Sequence, residues 1–182
     1  MRWFLGVLIV YASVGLALSL AVHISSFFVQ PPGGNALFTG LHIAIFPLWI
    51  PIVLIANLMS SGSLFTGRRP SWADWRALLA GAPVWMRMMT YGFFAYALAN
   101  FAVFFIFMAT GHGASNHTGA PPALVWHGFS GHWMAFYSAG LAIATAAYRR
   151  GPENLAHKCP NGHAVSPADR YCAQCGRAIS PK

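Results

Sequence analysis

The stretch RWFLGVLIVYASVGLALSLAVHISSFF, residues 2–28, decides the fold. A single arginine is followed by an uncharged, almost wholly apolar run. About 20 such residues in a helix cross a hydrocarbon core about 30 Å thick. Inside lipid the backbone must satisfy its own hydrogen bonds, so a run of this kind is a helix and not a strand. A secretory signal peptide is the rival reading, since Arg2 precedes the run and Ala17-Leu18-Ser19 resembles a small-residue cleavage site. The run is too long for a signal h-region, and it is expected to stay as a first span.

The pattern repeats along the chain. Asp, Glu, Lys and Arg are absent between Arg2 and Arg68 and again between Arg87 and Arg149. Further apolar runs cover Leu41 to Met59, about Met89 to Thr110 and about Gly131 to Tyr148. An apolar fraction of 57% against 8% charged residues excludes an ordinary soluble globule. The net charge of +8 reads as topology and not as affinity for nucleic acid, because the basic residues flank the apolar runs.

Arg2, the segment at about 60–88 (Arg68, Arg69, Arg76 and Arg87 against Asp74) and the tail from Arg149 form one basic side. The loops at 29–40 and 111–126 carry no formal charge. With four spans, both termini and the middle loop face the cytoplasm of a bacterial-type inner (plasma) membrane. The expected fold is an all-α polytopic membrane protein. A four-helix transmembrane bundle occupies 1–150 with its cytoplasmic loop at about 60–88, 151–158 is a linker, and 159–178 is a small C-terminal zinc ribbon. Pro47 and Pro51 are expected to kink or unwind the second span. SWADWRALLAG, residues 71–81, fits either a short headgroup-level helix or a plain linker. The small residues Ala135, Ala139, Gly140, Ala142, Ala144 and Ala146 fit the fourth span for close packing against neighbours.

Two features carry chemistry. All three cysteines lie in HKCPNGHAVSPADRYCAQCG, residues 157–176. Cys159-x3-His163 and Cys172-x2-Cys175 supply three thiolates and an imidazole, a Cys3His set for structural zinc. Four protein ligands leave no open position, so such a zinc is structural and not catalytic. A disulfide is the competing reading, but three cysteines cannot all pair, and thiols stay reduced on the cytoplasmic side. The tail resembles the short zinc ribbons that end many bacterial proteins, through the phrase Pro167-Ala168-Asp169-Arg170-Tyr171-Cys172. His163 stands one position beyond the place of the usual second cysteine. Lys158, Arg170, Arg177 and Lys182 are offset by Glu153 and Asp169, a thin footprint for nucleic acid, and protein docking is expected instead.

The second feature is six histidines, His23, His42, His112, His117, His127 and His132, all placed by this topology near the non-cytoplasmic boundary. His127 falls in the loop before the fourth span. Three readings stay open. The rings tolerate an interface and bind nothing; His23, His42 or His132 hold a haem; or copper or zinc sits at a site including His112, His117 or His127. His127 and His132 are five apart and would point to different faces of one helix. The spans contain no carboxylate, which removes the usual apparatus of proton-coupled transport. Gly128-Phe129-Ser130-Gly131 matches the Gly-x-Ser-Gly pattern of rhomboid intramembrane proteases, but that family uses six core helices and this chain offers four spans. The sequence thus points to a non-catalytic membrane subunit or adaptor, surrounded by lipid and protein partners, with a zinc ribbon for docking. A membrane redox protein holding haem or copper is the alternative.

Overall fold

In the computed structural model the described residues are 1–28, 34–60, 72–110 and 122–151, and in the tail 155, 158–161, 163, 165 and 169–179. His112, His117, His157 and most of the 60–71 and 151–158 connections lie outside them. Among the described residues six helices form, in the order α1 (Arg2–Ser25), α2 (Gly34–Ile43), α3 (Ile45–Met59), α4 (Trp72–Leu79), α5 (Val84–Ala109) and α6 (Pro122–Arg150). Among the described residues there is no strand. Three helical stretches are long and apolar enough to cross a membrane: Arg2–Ser25, Ala36–Met59 and Val84–Phe107.

α6 sits apart in composition and in position. It packs against α1, α2, α3, α4 and α5, and its residues are buried through most of Trp126 to Ala147. A helix enclosed by others does not face lipid, so it can carry Ser130, Ser138, Thr145, His127 and His132 without exposing them to hydrocarbon. The outer helices do the reverse. α1 shows Val10 and Val14 and α5 shows Phe94, Phe105 and Ile106 to the surroundings.

Close approach to α6 depends on small residues. A Cβ on Gly15 of α1 would lie 2.3 Å from the Tyr137 ring, and one on Gly140 would lie 2.9 Å from Leu48 of α3. Without side chains there, backbones come together and dispersion replaces the hydrophobic drive that lipid cannot supply.

The second apolar run breaks at Ala44, between α2 and α3. Pro47 is the cause: it has no N–H for the carbonyl of Ile43, and its ring crowds that carbonyl. Pro51 remains inside α3. Two tyrosines brace the junction. The Tyr11 hydroxyl donates to the Ala44 carbonyl at 2.8 Å and the Tyr137 hydroxyl to the Leu41 carbonyl at 3.1 Å.

Within the segment at 71–81, Trp72–Leu79 form a short helix and not a plain linker. α4 buries Leu78 and Leu79 and leaves Trp72 and Trp75 exposed. The Arg150 guanidinium donates to the Ala77 carbonyl in the last turn of α4, which also accepts from the Ala80 N–H at 3.3 Å. α6 also starts earlier than its apolar run suggests, so His127 lies on the helix and not in the loop before it. Gly128 and Gly131 cost helix stability by about 1 kcal/mol each, and the buried packing of Trp126, Ser130 and Trp133 offsets that.

Candidate metal centre and buried histidine network

The tail brings its four predicted ligands together. Each of Cys159, His163, Cys172 and Cys175 offers one ligand atom, and all four atoms lie within 4.8 Å of one another, close enough to hold a metal ion. Backbone turns place them. The Cys159 N–H donates to the His163 carbonyl at 2.9 Å, closing the first knuckle. The Cys172 N–H donates to the Arg177 carbonyl at 2.9 Å and the Gly176 N–H to the Cys172 carbonyl at 2.8 Å, closing the second. Gly176 turns this knuckle with φ of 67°, a conformation that costs glycine nothing. A bridge between Tyr171 and Ala178 ties the ends of the turn.

The distances suit a particular coordination. Cys159 Sγ lies 3.8 Å from Cys175 Sγ, and His163 Nδ1 lies 3.6 Å from both Cys159 Sγ and Cys172 Sγ. A tetrahedral ion with bonds of about 2.3 Å to sulfur and about 2.0–2.1 Å to nitrogen sets its ligands about 3.8 Å apart sulfur to sulfur and about 3.6 Å sulfur to nitrogen. These three distances match edges of that tetrahedron, and the remaining ligand pairs lie within 4.8 Å.

The sulfurs also act on one another electrostatically. Burial opposes ionisation of Cys172, but the backbone N–H groups of Cys175 and Gln174 and the neighbouring thiols hold it below the usual thiol range. The Arg177 N–H favours the Cys175 thiolate, yet burial and the sulfurs of Cys172 and Cys159 push that thiol up. Crowded thiols resist ionising together, and a divalent ion between them removes the conflict.

The described bundle histidines, His23, His42, His127 and His132, fall into two pairs. Ring contacts pair His42 with His132, centroids 6.2 Å apart, and His23 with His127, centroids 5.3 Å apart. His127 and His132 thus serve opposite faces of α6. Among the described residues, the tail alone gathers three or more candidate ligands.

His23 is held from both sides. Its Nδ1 lies 2.7 Å from Ser130 Oγ and its Nε2 lies 2.6 Å from the Tyr96 hydroxyl. The Ser130 hydroxyl donates its one proton to the Trp126 carbonyl at 2.5 Å. With that proton on the carbonyl, Ser130 Oγ accepts from His23 Nδ1–H and Nε2 accepts from Tyr96; the other tautomer reverses both bonds. In the first tautomer the serine is an acceptor toward His23. The serine of the Gly-x-Ser-Gly pattern is fully buried in the bundle.

His42 is also committed. The Trp133 indole N–H donates to its Nδ1 at 3.2 Å, so the neutral ring carries its proton on Nε2. Metal-bound histidines show the reverse, donating the nitrogen that does not bind metal. A ligand role for His23 or His42 would require these bonds to break.

No sequence signal links His23 to Ser130 and Tyr96, which are 107 and 73 residues away. Packing brings them together, and each bond is expected to carry weight. Ser130→Ala and Tyr96→Phe should each lower bundle stability by about 1 kcal/mol. The double variant should lose less than the sum, since both act through one ring. Full additivity in a thermal-unfolding cycle would mean that the bonds do not form a chain. No protein-family model, curated protein or solved structure matches this chain.

Proposed function

We propose that this chain is an integral membrane subunit of a larger complex, non-catalytic in itself, which presents a zinc-stabilised docking module to the cytoplasm. The observation that carries the proposal is the closed Cys3His cluster, with ligand spacing suited to tetrahedral zinc, at the end of an all-helical membrane chain. Four protein ligands leave no position for a substrate, so the metal's role is to fold a surface. In this reading α6 is the fourth span. Its 29 residues rise about 43 Å at 1.5 Å per residue, ample for a bilayer core. The basic ends then set both termini in the cytoplasm of a bacterial-type inner membrane. The bundle's polar groups support the same reading, because His23 is hydrogen-bonded to Ser130 and Tyr96 and His42 to Trp133.

A redox reading is supported by one observation, the pairing of His42 with His132 in near-parallel planes 20° apart. It is opposed by the tautomer that Trp133 imposes on His42. An optical spectrum of the purified protein separates the two. The docking reading expects no Soret band and no copper signal; an intense Soret band would replace it with the haem reading.

The docking surface itself is tested in native membranes. A photo-crosslinker at exposed Tyr171 should trap a defined protein partner, and the combined substitution Cys172→Ser and Cys175→Ser should abolish the adduct while the helices remain inserted. A reporter active only outside the cytoplasm, fused after Lys182, should stay silent. An active reporter would reverse the topology, and an unchanged adduct without zinc would remove the module from docking.

A further inference from the structure

A groove of about 760 Å³ runs along α1 beside the α2/α3 junction and α6. Its walls include Val10, Val14, Leu18 and Leu41, and its floor includes Tyr11 and Tyr137. Both tyrosine hydroxyls already donate, to Ala44 and Leu41 carbonyls. The floor therefore meets an occupant mainly as ring carbon, and hydrocarbon suits it. One end is different. Arg2, Trp3 and Tyr148 line it together, a cation with two aromatic rings of the kind that settle at headgroup depth. From Arg2 to Leu18 the helix rises about 24 Å, enough for a lipid tail descending from the interface. The volume falls in the range of about 300–1,000 Å³ typical of small-ligand sites, and the cavity suits a chain better than a whole partner helix.

We propose that this groove holds one anionic phospholipid, with an acyl chain along Val10 and Val14 and the phosphate at Arg2. The proposal rests on α1 lying in a membrane and is independent of the docking role of the tail. Gly6 makes the test clean. It lines the groove, and a Cβ there meets nothing within 4 Å, so a larger side chain can plug the groove without pushing on the fold. Val10, 63% exposed, offers a second plug.

The protein is purified with mixed phosphatidylglycerol and phosphatidylcholine, and retained lipid is read by native mass spectrometry. One phosphatidylglycerol should survive activation that strips the others, preferred about fivefold over phosphatidylcholine, as one basic side chain near the surface provides. Gly6→Phe and Val10→Trp should each lose that lipid at unchanged melting temperature. Arg2→Gln should keep a lipid but lose the preference. Glycerol phosphate without acyl chains should not compete. Retention of the lipid by both plugged variants would overturn the proposal, and so would equal retention of phosphatidylcholine by the wild type. Competition by the headgroup alone would place binding outside the groove. A dimer mass abolished by Gly6→Phe would assign the groove to a second copy of the chain and sink the lipid site.

Discussion

Replacing Cys172 and Cys175 together with serine is expected to release the zinc, about one ion per chain, and to unfold residues 159–178 while the helices stay folded. The effect is large because the module has almost no core of its own. Cys159, Val165 and Cys172 are its buried residues among those described, with Cys175 and Ile179 packed against them. Chains this short bury too little surface to fold unaided. Structural zinc in comparable small modules contributes about 10–16 kcal/mol of apparent binding energy, and this is folding energy. Metal analysis of wild type and variant gives the first readout. Limited proteolysis gives the second, with rapid cleavage confined to the tail. A chelator should reproduce the pattern in the wild type. Full zinc retention by the double variant would place the metal elsewhere, with the membrane histidines as the next candidates.

The second large effect is expected at Gly15. Leucine there drives a Cβ to within 2.3 Å of the Tyr137 ring. That ring cannot step aside cheaply, since Tyr137 is 1% exposed and its hydroxyl is bonded to the Leu41 carbonyl. Overpacking of this kind costs about 1–3 kcal/mol, and loss of the bond that braces the α2/α3 junction adds about 1 kcal/mol. Gly15→Leu should therefore lower the melting temperature sharply and weaken the association of α1 with α6. Gly6→Leu is the matched control on the same helix, where nothing stands in the way. Equal melting temperatures for the two variants would mean that α1 does not pack on α6 through Gly15.

How much of this was legible in the sequence depends on the range over which each residue acts. The metal ligands are readable because Cys159 to Cys175 is one short segment, and local turns alone bring its sulfurs together. The break in the second apolar run is readable for the same reason, since Pro47 acts on a carbonyl four residues back. The start of α6 is not readable from glycine content. Gly128 and Gly131 argue locally against a helix, while the packing that overrides them comes from α1, α2 and α5.

The histidines mark the boundary between the two kinds of information. Sequence assigns them a common depth, because depth follows from counting residues along apolar runs between charges. It does not assign partners. Depth leaves the rotation of each helix undetermined, and rotation decides which ring meets which. The tertiary structure divides the four described histidines of that pattern, pairing His23 with His127, Ser130 and Tyr96, and His42 with His132 and Trp133. Apolar length and cysteine spacing therefore determined a chain with membrane-length helices and a tail whose Cys3His residues lie close enough to hold a metal ion. Only the packing of small-residue faces decided that α6 is the central helix and that its polar groups hold one another.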